Sequence, residues 1–212
     1  MPTCRPLSQA EIGRALESKT LSTETPLGQR NHMLFQLMLC TGFRISEVLG
    51  LTVADVYNAP KRKMLDRIVL KSRARKGRGV EMEIALPDEC QAELLEYLTT
   101  HELKGKPSAK LFDITPRRSE QILAALKAEM EWEGTVSNHS LRKTLGKQVY
   151  EQTGHDLEKT RMALGHKQIT STQCYITADK DEVRDFMKKL KLGYQAKPAA
   201  SDAPVAAPSR HH

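Results

Sequence analysis

Four short segments of this 212-residue sequence carry side chains whose types suit chemistry on a phosphodiester bond. They are T-G-F-R-I-S-E at 41–47, H-S-L-R-K-T at 139–144, L-G-H at 164–166, and a tyrosine nine residues further on. Guanidinium groups are permanently charged and present paired N–H donors that match two phosphate oxygens. Imidazoles transfer protons, and a phenol can act as a nucleophile. The candidate site residues are Arg44, His139, Arg142, His166 and Tyr175.

The charge of a phosphodiester decides which side chains are needed. Its transition state gathers negative charge on the non-bridging oxygens, and fixed cations such as Arg44 and Arg142 would have to face that charge. His139 lies three residues before Arg142, so on a helix both share one face and can point at the same phosphate. Taken singly, each residue has an ordinary alternative: an ion-paired arginine, a capping histidine or a buried tyrosine with a bonded hydroxyl. The hypothesis therefore depends on the order and spacing of the segments.

That order and spacing resemble the signature of the tyrosine recombinase (phage integrase) family over roughly residues 7–192. The resemblance implies that Tyr175 attacks a DNA phosphate and forms a covalent 3′-phosphotyrosine. A second DNA hydroxyl would resolve this link, with no cofactor and no metal ion. The resemblance also implies that the two arginines bind the phosphate, that His139 accepts a proton or donates a hydrogen bond, and that His166 donates a hydrogen bond to the phosphate.

A basic stretch occupies residues 61–78, where nine basic residues accompany a single acid, Asp66. Such a density of charge can neutralise several phosphates, although a solvated charged loop is the alternative. The family resemblance implies a hairpin lysine that protonates the leaving 5′ oxygen. Counting back from the strand end at Leu86 favours Lys76, and Lys71 remains an alternative.

Composition points to a polyanionic partner, because 33 Lys and Arg against 26 Asp and Glu give a net charge of +7. Double-stranded DNA is the expected partner. The four cysteines are scattered without a C-x-x-C pair, which argues against a zinc module and favours reduced, mostly buried thiols. We find no apolar run of about 18 residues and no signal peptide, so no membrane association is expected. The expected location is the bacterial or phage-infected cytoplasm, at the nucleoid.

Hydrophobic periodicity predicts a mainly α fold with one small antiparallel β-sheet, an α+β class. Helices are predicted over 7–18, 30–40, 45–51, 87–100 and 119–132, followed by several short helices in 139–192. Ser119 is expected to cap the helix over 119–132, with Ala125 on its apolar face. Two strand-like runs, at 67–70 and 81–86, predict a hairpin with a basic tip.

The predicted domain organisation is one tyrosine recombinase catalytic domain over 1–193 and a disordered Ala/Pro-rich tail over 194–212. A docking helix is expected at about 181–192, and it packs either on its own domain or on a neighbouring protomer. The family usually carries a helical core-binding domain before the catalytic one, and we expect none in this chain. The resemblance implies a homo-oligomer, a tetramer, on DNA.

The resulting hypothesis is a site-specific recombinase that integrates or excises DNA, as mobile elements require. A catalytically silent DNA-binding relative is one alternative, disfavoured because all six expected site residues are present. A type IB topoisomerase-like enzyme that nicks and reseals one strand is another. An RNA-binding module is a third, and with only 5% aromatic residues the chain offers little for base stacking.

Overall fold

The computed structural model describes most of the chain and leaves some stretches undescribed. The described residues are 4–70, 82–166, 168–173, Arg184 and 187–189. They belong to two compact units, Met1–Thr177 and Ala178–His212. In the second unit, Arg184 and 187–189 are helical, inside the range predicted for the docking helix. The rest of that helix and the predicted tail lie outside the described residues.

The first unit is mainly helical, as predicted. Its α-helices are α1 Gln9–Leu16, α2 Pro26–Thr41, α3 Ile45–Val48, α4 Asp88–Thr100, α5 Pro116–Glu129, α6 Asn138–Gln152, α7 Leu157–Leu164 and α8 Ile169–Gln173. Its strands are β1 Tyr57–Asn58, β2 Lys63–Met64, β3 Arg67–Leu70 and β4 Met82–Ala85. They form two antiparallel pairs, β1 with β2 and β3 with β4, where the sequence predicted one sheet.

Helix α2 is the central helix of the unit and contacts both α4 and α6. It begins at Pro26, earlier than the predicted start at residue 30. Thr25 explains the difference, because its hydroxyl accepts a hydrogen bond from the Gly28 N–H and Pro26 needs no N–H partner in the first turn. Buried apolar side chains surround α2 on several faces, so it lies inside the core rather than on its surface.

Helix α5 also begins before its predicted start. Thr115, not Ser119, caps it by accepting a hydrogen bond from the Arg118 N–H, and a proline again follows the cap. Leu123 is buried on α5, whereas Ala125, predicted on the apolar face, is exposed. The packed face of α5 consists of Ser119, Ile122, Leu123 and Leu126, and helical spacing places Ala125 outside it.

The helix predicted over 45–51 is shorter in the structure. It is the single turn α3, and a 3-10 turn at Val53–Asp55 follows it before β1. The two strands of the predicted hairpin pair with each other: β3 is antiparallel to β4 in a register that places buried Ile68 opposite Ile84. Its tip, residues 71–81, lies outside the described residues, and so do Lys71 and Lys76.

The core of the first unit joins α1, α2, α4, α5 and the start of α6 through buried Leu, Met and Phe side chains. Trp132, between α5 and α6, belongs to it and is 5% exposed. Across the described residues, none of the helices has the length and the apolar composition required to cross a membrane.

Candidate active site

The T-G-F-R segment forms the sharp turn between α2 and α3. Gly42 ends α2 with a φ of +60°, and a Cβ at this position would lie 2.7 Å from a methyl group of Leu145 on α6. Phe43, fully buried, anchors the turn in the core. Arg44 then precedes α3, where Glu47 accepts hydrogen bonds from its backbone N–H at 2.7 Å and from its guanidinium at 3.1 Å. The turn and this buried carboxylate fix the direction of Arg44.

The guanidinium of Arg142 lies in the interior, with only 1% of the residue exposed. One of its terminal nitrogens donates to the carbonyl of Gly42, and the other donates to the carbonyl of Leu164 at 2.5 Å. These acceptors belong to the segments 41–47 and 164–166, which lie 100 and 22 residues away in sequence. A single side chain therefore joins three of the four segments that the sequence singled out.

His139 occupies the first turn of α6, on the side of the helix that Arg142 shares. Its ring is open to solvent on one side, yet neighbouring atoms desolvate it and lower the pKa of His139 below its ordinary value of 6.5. The positive charges of Arg142, Arg44 and Lys143 lower this pKa further. The imidazole is consequently neutral near pH 7, the form that can accept a proton.

Arg44 and His139 line the same open groove, whose volume is about 440 Å³. It is also lined by Glu120, Leu123 and Lys127 of α5 and by the residues that lead into α6. The groove thus presents a guanidinium and a neutral imidazole side by side to a ligand that enters from solvent.

His166 follows the C-terminus of α7, where Gly165 adopts a left-handed conformation with a φ of +58°. The residue is 4% exposed, and its Nδ1 lies 3.0 Å from the hydroxyl of Thr172 on α8. Arg161 donates to the backbone carbonyl of His166 at 2.7 Å. Both contacts hold the ring in place. If the Thr172 hydroxyl donates to Nδ1, the other ring nitrogen carries the proton and can serve as a donor.

Two predicted residues and one alternative are not described. Lys76, its alternative Lys71, and Tyr175 lie outside the described residues, and the described stretch of the first unit ends at Gln173, two residues before Tyr175. Among the described basic residues of 61–70, Arg67 is ion-paired with Asp66 and Glu83.

Glu47, the last residue of the T-G-F-R-I-S-E segment, forms an ion pair with Arg44. Sequence reasoning missed Thr172 and the carbonyl partners of Arg142. Backbone carbonyls carry no sequence signal, and Thr172 lies on a different helix from the α7 end that holds His166. In the part of the chain that is described, no three His, Cys, Asp or Glu side chains are grouped to hold a metal ion.

Comparison with known proteins decides the family. The model of the phage integrase family matches residues 7–182, most of the chain. This chain belongs to the phage integrase family. The residues of the four segments all lie within the matched range, so their resemblance to the family signature is part of a match over the whole catalytic region.

Individual relatives of this phage integrase family member agree with the assignment. Tyrosine recombinase XerC of Bacillus licheniformis is 29% identical over 185 residues, which cover 84% of this chain and 58% of that relative. The chain therefore spans little more than half the length of this relative.

Solved structures show the same fold. The XerH site-specific recombinase bound to a palindromic difH substrate matches with a TM-score of 0.68 at 21% identity, over 87% of this chain and 52% of that one. The catalytic domain of bacteriophage HP1 integrase matches with a TM-score of 0.55 at 20% identity. This match covers 92% of this chain and all of the HP1 domain.

Proposed function

We propose that this chain is the catalytic part of a site-specific recombinase that breaks and rejoins DNA strands through a covalent 3′-phosphotyrosine. The observation that carries the proposal is the position of Arg142, whose guanidinium joins the turn before Arg44 to the turn before His166. This contact supports a shared site for groups that are far apart in sequence. Their chemistry is that of phosphoryl transfer: fixed positive charge, a neutral base and a hydrogen-bond donor.

In the proposed first step, the phenol oxygen of Tyr175 attacks phosphorus while the bond to the 5′ oxygen breaks. Neutral His139 accepts the phenol proton, which its lowered pKa permits near pH 7. Arg44 and the buried charge of Arg142 stabilise the negative charge on the non-bridging oxygens, and His166 donates a hydrogen bond to one of them. The products are a phosphotyrosine on the 3′ side and a free 5′ hydroxyl.

The leaving 5′ oxygen needs a proton, and Lys76 is the proposed donor, with Lys71 as the alternative. Rejoining is the reverse reaction with the 5′ hydroxyl of another strand: the hydroxyl loses its proton to the lysine and the phenol regains one. The bond energy is kept in the phosphotyrosine, so the cycle needs no nucleotide and no metal ion.

The partner we propose is double-stranded DNA, on which protomers assemble as a tetramer, within the bacterial or phage-infected cytoplasm. The net charge of +7 supports this, and the XerH structure is of a recombinase bound to its substrate. We also propose that residues 1–193 form the catalytic domain and that 181–192 form a docking helix. Strand exchange, rather than type IB topoisomerase-like resealing, is favoured by the family match.

The test is covalent trapping on DNA. The protein is incubated with a pool of nicked duplexes of randomised sequence, adducts resistant to SDS are isolated, and the modified peptide is identified by mass spectrometry after nuclease digestion. We expect nucleotide attached to Tyr175, and no adduct with Tyr175→Phe, which still retains the duplexes in a gel-shift assay. An adduct that persists in Tyr175→Phe, or no adduct from the pool at all, would contradict the proposal.

A substrate with a 5′-phosphorothiolate leaving group distinguishes the two lysines, because a thiolate leaves without a proton. Lys76→Ala should be slow on ordinary DNA and regain speed on the phosphorothiolate. If Lys71→Ala shows this rescue and Lys76→Ala does not, Lys71 is the acid.

A further inference from the structure

The segment Cys4–Leu7 lies along α6, the helix that carries two of the proposed site residues. The Cys4 carbonyl accepts a hydrogen bond from Lys143 Nζ at 2.8 Å. The Leu7 N–H donates to the hydroxyl of Thr144 at 2.8 Å. The segment therefore contacts the two residues that directly follow the buried arginine of α6.

Thr144 connects this contact to the first turn of α6 through a second hydrogen bond. It is 1% exposed, and its hydroxyl, which accepts from Leu7, donates to the carbonyl of Ser140 at 2.9 Å. The Ser140 hydroxyl in turn accepts from the Ser137 N–H at 3.1 Å, and Ser140 is fully buried. Since His139 lies between these serines, the chain of hydrogen bonds from Leu7 ends at the turn that holds the proposed base.

Arg5 binds the loop that leads into the same helix. Its backbone N–H donates to the Thr135 carbonyl at 3.0 Å, and its Nε donates to the Glu133 carbonyl at 2.8 Å. Both carboxylate oxygens of Glu11 on α1 accept from its terminal nitrogens, at 3.0 and 2.5 Å. The segment thus holds both the loop before α6 and the second turn of α6, and the first turn lies between these two attachments.

We propose that the segment Cys4–Leu7 sets the position of α6 for the reaction, with Thr144 and Lys143 as positioning residues. The inference rests on the proposed function, because it assigns these residues a part in that chemistry. Catalysis is more sensitive to position than binding is: a displacement of about 1 Å can lower a rate about 100-fold. The affinity for the DNA backbone depends on many charges distributed over the protein, so the same displacement changes it little. The expected effect is therefore on the rate of cleavage rather than on DNA affinity.

The experiment compares Thr144→Val, which keeps the side-chain shape but removes the hydroxyl, with Thr144→Ser, which restores it. The probe is the nicked duplex pool used for covalent trapping, at saturating concentration. We expect adduct formation to slow by about tenfold or more in Thr144→Val, with the dissociation constant for DNA within about twofold, and to recover in Thr144→Ser. Lys143→Met with Lys143→Arg forms a second pair in case Thr144→Val folds poorly.

Glu129→Gln is the matched control for loss of stability. Glu129 accepts hydrogen bonds from Lys19 and Thr20 at the C-terminal end of α5, so the substitution weakens contacts between distant parts of the first unit in which no residue of α6 takes part. We expect it to lower the melting temperature while the rate at a temperature well below melting stays unchanged. A rate loss in Glu129→Gln equal to that in Thr144→Val would make the effect one of stability and overturn the inference.

A measurement without DNA separates this inference from the proposed function. The NMR signal of the His139 imidazole, assigned with His139→Asn, should move in Thr144→Val and return in Thr144→Ser. If wild type forms no adduct, the proposed function fails, and the imidazole signal alone decides whether the segment positions α6. If wild type is active and neither the rate nor the signal responds to Thr144→Val, the positioning role is refuted while the proposed function stands.

Discussion

Arg142 shows how one residue can serve both folding and the proposed chemistry. Its guanidinium is buried and donates to two backbone carbonyls, yet its charge also reaches His139 and lowers the pKa of that histidine. Arg44 has a different environment: it remains partly exposed beside the groove and is held by the buried carboxylate of Glu47. The two arginines are therefore not equivalent. Loss of the buried one should affect stability as well as rate.

Arg142→Lys is expected to lower the free energy of unfolding by about 1–3 kcal/mol, because an ammonium cannot span both carbonyls and leaves one of them buried without a donor. Urea denaturation measures this. The control is Arg67→Lys, which changes an arginine with two exposed ion pairs and should lower the free energy of unfolding far less, because solvent screens exposed ion pairs. If the two variants lost the same free energy of unfolding, the two carbonyl contacts of Arg142 would contribute no more to stability than exposed ion pairs do.

At the scale of elements, the turn between α2 and α3 links three helices. Gly42 ends α2, its carbonyl binds Arg142 of α6, and the residues after it start α3. The turn requires a positive φ, and the space beside its Cα is filled by Leu145. Glycine is thus needed here for both backbone conformation and close packing.

Gly42→Ala should destabilise the protein by at least about 1–2 kcal/mol, because alanine is strained at this φ and its methyl group would overlap Leu145. Thermal denaturation against wild type is the measurement. Gly13→Ala is the opposite control: this glycine lies in α1 with nothing within 4 Å of its Cβ position, so alanine should stabilise by about 0.5–1 kcal/mol. A neutral Gly42→Ala would show that the turn can adopt another conformation.

At the scale of the whole first unit, contacts between residues distant in sequence connect the start of the described chain to the loop before α6. The ion pair of Arg5 with Glu11, together with the bonds from Arg5 to the loop at 133–135, joins the beginning of the described chain to the helix that carries His139. The hydrogen bond from Arg5 is the largest cause that lowers the pKa of Glu11, from its ordinary value of 4.5 to about 2. Folding stability should therefore depend on pH through this carboxyl group.

Because the pKa of Glu11 is depressed in the folded state, its ionised form contributes stability that is fully present above pH 4.5 and is lost as the pH falls toward 2. Glu11→Gln should lower the free energy of unfolding above pH 4.5, and the difference from wild type should shrink between pH 4.5 and 2. Urea denaturation across this range tests the expectation. In an Arg5→Met background, most of the pH-dependent difference should vanish, and its persistence would assign it to other groups.

The sequence by itself determined the family, the mainly helical class and the residue types suited to phosphoryl transfer. Those features depend on local motifs and on hydrophobic periodicity, both of which can be recognised from the order of the residues alone. It predicted helix starts less well at α2 and α5, because Thr-Pro caps begin both helices several residues before the ranges that periodicity predicts. Lys76 and Tyr175, outside the described residues, remain predictions from sequence.

Only the tertiary structure decided what each described site residue touches. The partners of Arg142 are main-chain carbonyls 100 and 22 residues away, and every residue type carries such a carbonyl, so no motif could name them. The lowered pKa of His139 depends on desolvation and on neighbouring positive charges, among them Arg44 of a distant segment, which come together on folding. Likewise, Thr144 gains its contact with Leu7 from packing across 137 residues of sequence. Helical spacing predicts which residues share a face, whereas the acceptor opposite that face is set by the packing of the whole unit.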